Sequence, residues 1–243
     1  KRVMLKSMAD ADLTIFISDH ARSIIEAVRP IPNPLTIPHG ISNLFREQNE
    51  ALPRPAAAPD GRYILYVSRF DVYKHHDNVV EGFAALPPEL RDSYKLVFLG
   101  ETDMPPFDAV QRRITELGLG EAIVIDGAVP YDSLPAWYAH ADAILFASSC
   151  ENCPNILLES LGASRPVLSS DVMPMPEFGG PGLAYFSPFD PQSITAALCD
   201  ILERPERAKA VAEAARARSR LYDWDITAQK TWNAIVTLAK QVK

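Results

Sequence analysis

The sequence predicts an α/β fold built on a doubly wound parallel sheet, and three observations lead there. Short apolar runs, such as Ala143-Ile144-Leu145-Phe146-Ala147, lack polar alternation, which suits strands covered on both faces. These runs alternate with stretches of helical periodicity along most of the 243 residues. The connections between them are short, as crossovers between parallel strands are.

The first forty residues read as helix 1–8, strand 13–17, helix 19–28 capped by Ser18, and strand 35–37 running to Gly40. One such repeat cannot enclose a core of its own. Residues 46–61 (REQNEALPRPAAAPDG) are polar and proline-rich and form a linker or long loop. Strands then follow at 62–67, 94–100, 122–125, 143–147, 166–169 and 182–186. The helices between and after them are expected at 73–86, 107–117, 131–140, 154–164, 191–203 and 205–221. A last helix, about 225–243, carries Ala228, Trp232, Ile235, Ala239 and Val242 as one apolar stripe. That stripe calls for burial and, read by itself, is that of a core-packing helix. No period of solenoid type is present.

Composition narrows the function classes. With 47% hydrophobic and 23% charged residues the chain is a soluble globular one. A net charge of −7 argues against nucleic acid as a partner. No apolar run reaches the ~20 residues of a membrane span, and no charged-then-apolar leader opens the chain. Cytoplasmic residence is the default reading, with attachment to a membrane face left open. Three cysteines argue against a disulfide framework. Cys150 and Cys153 form a C-x-x-C at a helix start, read as free thiols on a loop shaped by a ligand; redox chemistry ranks a distant third. His75-His76 does not suggest a metal site, because adjacent helical side chains diverge and no carboxylate is spaced to complete one.

The stretch 141–170 organises the chain: a buried strand, a polar loop, a helix and a second buried strand. Asn152 or Cys153 is expected to cap the helix, with Pro154 in its first turn. Its free N–H groups and positive dipole end then face the crevice beyond the strand's carboxyl edge, an arrangement that binds phosphates. Glu151 and Glu159 bracket the helix start with seven residues between them. The rise from Pro154 to Glu159 is about 7.5 Å. A ligand with a phosphate centre and hydroxyl-bearing groups on both sides, such as a nucleotide sugar, matches that layout. At the end of the strand 62–67, Arg69 and Lys74 supply a guanidinium fork and a point charge, both expected at the surface. Gly100 closes the strand 94–100 and lets a ligand approach the backbone.

The Glu151–Glu159 pair, the preceding ADAILFASS and the following GASRPVLSSD resemble the donor half of retaining glycosyltransferases of family 4. These enzymes have the GT-B fold of two facing Rossmann-like domains. The family run E-G-F-G-x-P-x-x-E-A is here Glu-Asn-Cys-Pro-Asn-Ile-Leu-Leu-Glu-Ser, with Asn152 and Pro154 in place of glycines. Nearly the whole chain is covered. The resemblance implies a closing acceptor-domain repeat over 1–45 with the remainder absent, a donor domain over 46–222, and a crossover helix over 223–243.

The resemblance also implies roles. Glu151 contacts the sugar hydroxyls, Glu159 the ribose, and Arg69, Lys74 and the backbone near Asn155 and Ile156 the diphosphate. Ser68, standing for the family's glycine, Gly100 and Cys153 line the donor site, and the base lies near 127–131. The loop 171–178 resembles the sugar-side loop, with Met173 where glycine is common. No metal or other cofactor is implied; the donor is a UDP- or GDP-sugar and the acceptor a glycan or lipid-linked precursor. Peripheral membrane association would run through the rest of an N-terminal domain. By this reading the 243 residues alone bind a nucleotide but transfer no sugar at a useful rate. Two rivals remain, a nucleotide-sugar epimerase on the same architecture and a non-catalytic nucleotide-sugar-binding module.

Overall fold

The structure, a computed structural model, describes residues 2–46 and 51–241. The first residue of the expected helix 1–8, part of the linker 46–61, and Val242 of the terminal stripe lie outside the described residues.

Two parallel sheets carry the described residues. The first segment supplies helix α1 (Arg2–Asp10), strand β1 (Thr14–Phe16), helix α2 (Asp19–Glu26) and strand β2 (Pro34–Thr36), with β1 and β2 paired in parallel. Ser18 caps α2 as expected, accepting from the N–H of Ala21 at 3.1 Å. Among the described residues the main domain holds six strands: β3 (Arg62–Val67), β4 (Tyr94–Leu99), β5 (Ile123–Ile125), β6 (Ala143–Phe146), β7 (Val167–Ser170) and β8 (Ala184–Phe186). They lie in the order β5-β4-β3-β6-β7-β8, every neighbouring pair parallel. This is the doubly wound sheet the apolar runs predict. Ile64, Leu65, Leu96, Val97, Val167 and Leu168 are fully buried, as strands covered on both faces must be.

The helices of this domain are α3 (His76–Ala84), α4 (Pro88–Ser93), α5 (Pro106–Glu116), α6 (Leu134–His140), α7 (Asn155–Gly162), α8 (Met175–Gly179), α9 (Pro191–Leu202) and α10 (Pro205–Ser219). Helix α3 packs on α5 and α9, and α10 packs on α7 and α9. Four local expectations need correction. The helix expected at 73–86 is broken. Asp71 caps a 3₁₀ turn over Val72–Lys74, and His75 takes a left-handed conformation (φ 50°) before α3 begins. The region 131–140 likewise splits into a 3₁₀ turn, Tyr131–Ser133, and α6. The short helices α4 and α8 fall in stretches read as connections, because a helix of five or six residues is too short to show a period. Neither Asn152 nor Cys153 caps α7: Pro154 occupies the cap position and no side chain accepts the first-turn N–H groups.

The last helix, α11 (Trp224–Gln241), returns to the first segment. Thr227 donates its hydroxyl to the Pro38 carbonyl at 2.8 Å, and the helix borders, through Ala234 and Leu238, a groove of about 650 Å³ against β2. The apolar stripe is not covered by the described residues of this chain, so the core-packing alternative fails. Trp232 is 64% and Ile235 48% exposed, Ala228 and Ala239 are exposed too, and among the described residues nothing covers them. The repeat of four and three identifies a face, whereas its neighbour is a tertiary matter.

The two connections between segment and domain run side by side. Ile41 bridges to Asp223, and Arg46 pairs with Asp223 at 2.9 Å and donates to the Ser219 carbonyl at 3.0 Å. A side chain on Gly40 would stand 2.1 Å from the backbone nitrogen of Trp224. The close approach of the two strands of the crossover therefore needs glycine there.

Candidate active site

Strand order reverses between β3 and β6, so the loops leaving their carboxyl ends diverge and open a crevice, the usual ligand site of open α/β sheets. The loop after β3 carries Ser68, Arg69 and Lys74; the loop after β6 carries Ser148, Glu151 and the start of α7.

Lys74 reaches inward because the break at His75 ends the 3₁₀ turn beneath it. It is 5% exposed, contrary to the expected surface position. Its Nζ stands 2.5 Å from Oε1 of Glu151 and 5.1 Å from the ring centroids of Tyr73 and Phe146. Ser148 donates its hydroxyl to the same Glu151 oxygen at 2.8 Å. An ammonium so far from water persists because a carboxylate and aromatic faces replace its hydration. The loops are tied beside it, the Ser149 N–H donating to the Tyr73 carbonyl at 2.8 Å and the Ser149 hydroxyl meeting His75 Nε2 at 2.7 Å. Arg69 lies at the surface as expected, paired with Asp71 at 3.0 Å.

A cavity of about 290 Å³ gathers Ser68, Arg69, Gly100 and Ile156 with Glu101, Val129 and Leu134. Four of the residues singled out in the sequence thus meet in one place. Ser68 is buried and turns its hydroxyl to the Arg69 carbonyl at 3.0 Å, while Gly100 N–H donates to Gly127 O at 2.7 Å. A Cβ on Gly100 would sit 2.1 Å from the Ser68 carbonyl oxygen. Gly100→Ala is therefore expected to force β3 and β4 apart at the mouth of the cavity and to lower the melting temperature by several degrees, a cost of roughly 2–4 kcal/mol. An unchanged thermal midpoint would show that the strand ends yield freely.

Glu159 lies farther along α7, 7% exposed, and accepts from the Tyr131 hydroxyl at 2.9 Å. Burial pushes its carboxyl up to about 7, with the Tyr131 bond acting in the opposite direction. Asn155 opens the helix and turns its side-chain carbonyl to His39 Nδ1 at 3.0 Å, and the His39 ring stacks on Trp224 at 5.5 Å. Cys153 is buried, and burial pushes its thiol up to about 11, against the neighbouring main chain of His39. That environment opposes a thiolate despite the helix start. Cys150 is exposed, and both are free thiols.

His76 is enclosed between Phe70 and Tyr66, with centroids at 4.1 and 4.8 Å, and burial, with the Lys74 charge nearby, holds it down to about 3. It is a neutral core ring at every ordinary pH. Among the described residues no group of three His, Cys, Asp or Glu side chains converges as a metal site. No helix of the described residues is long and apolar enough to cross a membrane.

Sequence reasoning gave no role to Ser148 or His39, and one to Tyr131 only as part of the stretch 127–131 near the base. Ser148 stands in the quoted FASS run but carries no signal of its own. The Tyr131 bond to Glu159 and the His39 bond to Asn155 join residues 28 and 116 positions apart, beyond any local pattern.

Known proteins share this fold. The chain is 27% identical over 239 residues to an O-antigen chain mannosyltransferase B of Escherichia coli, covering 94% of this chain and 61% of that protein. Two solved structures superpose well. Sucrose-phosphate synthase from Thermosynechococcus elongatus has a TM-score of 0.84 at 23% identity, covering 98% of this chain and 61% of that one. Anabaena Alr3699/HepE in complex with UDP-glucose has a TM-score of 0.84 at 18% identity, covering 97% and 67%. The chain thus spans about three fifths of the length of the mannosyltransferase it matches. The family described as glycosyl transferases group 1 matches residues 47–218, and the chain belongs to that family.

Proposed function

We propose that this chain is the donor-binding half of a retaining, family 4 glycosyltransferase that moves a hexosyl group from a UDP- or GDP-sugar to a glycan or lipid-linked acceptor. The observation that carries the reading is the shared carboxyl edge. A buried Lys74 held by Glu151 and Ser148, the cavity at Arg69 and Gly100, and the uncapped start of α7 all open there. The mannosyltransferase relative and the UDP-glucose complex of a structural neighbour support the donor class.

In this reading the diphosphate lies over the first turn of α7 and takes Arg69 and Lys74 as counter-charges, Glu159 accepts from the ribose hydroxyls, and Glu151 accepts from the sugar hydroxyls. The bond from the anomeric carbon to the diphosphate oxygen breaks as the acceptor oxygen bonds to the same face. The acceptor proton passes to the departing phosphate oxygen. Charge gathers on the leaving group, where the two cations and the helix dipole stabilise it more in the transition state than in the ground state. The reaction is placed in the cytoplasm, at the membrane face where the acceptor is lipid-linked.

Thermal-shift titration with UDP, GDP, ADP, dTDP and their sugars tests the reading. Binding to the native state adds about 2.7 kcal/mol at a hundredfold excess over Kd, so UDP or GDP is expected to raise the midpoint. A flat response to all four nucleotides would remove the donor site. An excess of chelator is expected to leave the shift unchanged, since two cations and a helix dipole meet the diphosphate; loss of binding would require a metal.

A further inference from the structure

The loop after β7 enters α8, and that short helix is fastened on both sides. From the main domain, the guanidinium of Arg218 donates to the Phe178 carbonyl at 2.8 Å and to the Glu177 carbonyl at 2.5 Å, and the Tyr222 hydroxyl donates to Phe178 O at 2.9 Å. Met175 and Phe178 are buried beneath it. From the other side, the Glu177 carboxylate crosses to the first segment. Its Oε1 accepts from Asp19 N–H at 2.8 Å and its Oε2 from His20 N–H at 2.9 Å. These are first-turn groups of α2, orphaned by the helix geometry and lying at its positive dipole end. Ser18 serves the next one, Ala21 N–H, so helix start and carboxylate complete each other. A bidentate, charge-assisted contact between groups 158 and 157 positions apart is a specific tie between the two parts of the chain.

Strand β7 lies next to β6, so the loop 171–174 borders the crevice on the side of Glu151. Along it, Asp171 N–H bonds the Phe186 carbonyl at 2.9 Å and Val172 N–H the Ser170 hydroxyl at 3.1 Å, while Met173 is 41% exposed. The loop is therefore held at its origin and at α8, and Glu177 ties α8 to the first segment.

We propose that Glu177 is a positioning residue for the sugar half of the donor site. By clasping the start of α2, it holds the loop 171–174 over the crevice and couples occupancy of that half of the site to the docking of the first segment. The inference rests on the donor-site reading given above. It follows that an intact sugar nucleotide, which fills that side, tightens the clasp, whereas a bare nucleoside diphosphate does not. Coupling is reciprocal, so loosening the clasp weakens the sugar nucleotide selectively.

Titration of the full chain with UDP, GDP, UDP-glucose and GDP-mannose, beside hydrogen exchange at Asp19 and His20, tests this. In Glu177→Ala the two amides are expected to exchange at least about tenfold faster, and the sugar nucleotide that binds wild type is expected to weaken about fivefold or more. The bare nucleotide should stay within about twofold. Glu177→Gln keeps one acceptor oxygen and is expected to fall between, which guards against a variant that fails to fold. In wild type, the sugar nucleotide should slow exchange at the two amides and the bare nucleotide should not. Faster exchange with unchanged sugar-nucleotide affinity would overturn the coupling, as would equal loss of both ligands. Wild type binding none of the four probes would overturn the donor reading itself, and the amide exchange would still report separately whether the clasp exists.

Discussion

Lys74→Ala is expected to abolish useful binding of a nucleoside diphosphate and, unlike Arg69→Ala, to destabilise the fold. The difference follows from burial. Arg69 is at the surface with Asp71, and removing an exposed charge of that kind changes stability little. Lys74 is 5% exposed, and Glu151, its partner, would be left largely out of water with only Ser148 to serve it. Breaking a buried pair from one side costs about 3–5 kcal/mol; the partial exposure of Glu151 reduces the expected loss to roughly 1–3 kcal/mol. Adding Glu151→Gln should restore part of the lost stability, since no unpaired carboxylate remains, without restoring affinity. Urea denaturation and nucleotide titration of both single variants and the double variant give the coupling directly. Independent, additive losses would show that the pair seen here does not hold the crevice together.

The second large effect is a pH dependence. Glu159 is pushed up to about 7 by burial, from 4.5. Its folded value lies above the unfolded one, so between those limits the native state holds the proton more tightly. Stability from this group is therefore present below about 4.5 and falls as the pH rises to about 7, beyond which the deficit is constant, up to about 3 kcal/mol. In the proposed ribose contact the carboxylate is the stronger acceptor, so affinity is expected to move the other way. From pH 8 to pH 6 the ionised fraction drops from about nine-tenths to about one-tenth, and sugar-nucleotide affinity is expected to fall about tenfold. A sugar nucleotide is the right probe because its diphosphate, esterified at both ends, does not titrate there. Glu159→Gln removes the buried charge and can still accept from Tyr131. At pH 8 it should melt higher than wild type while binding the nucleotide more weakly and without the pH dependence, the trade-off expected of a binding group kept at a cost in stability. A wild-type affinity flat between pH 6 and 8 would take Glu159 out of the ribose contact.

Local pattern carried the sheet and the order of its elements. Runs such as 62–67 and 143–147 are apolar without alternation because both faces are covered, and that condition is written into each strand separately. Glu151, Glu159, Arg69 and Lys74 were legible as types at a spacing, since a strand end and a helix start place them on one edge whatever lies around them. Tertiary structure decided the rest. Whether Lys74 is a surface cation or a buried one turned on the left-handed His75 and on Glu151 from another loop. The raised carboxyl of Glu159 depends on what covers it, and desolvation is a property of the assembled fold, not of a residue type. The stripe of α11 was correctly periodic and yet exposed, because periodicity marks a face and not its neighbour. The clasp of Glu177 on α2 spans more than 150 positions, and no local signal records which carboxylate meets which helix end. Sequence by itself determined most of the elements, through patterns within a few residues, together with the chemical types at the crevice, and their short connections implied the parallel winding; the pairings, burial and charge states there depended on contacts made only when distant segments pack.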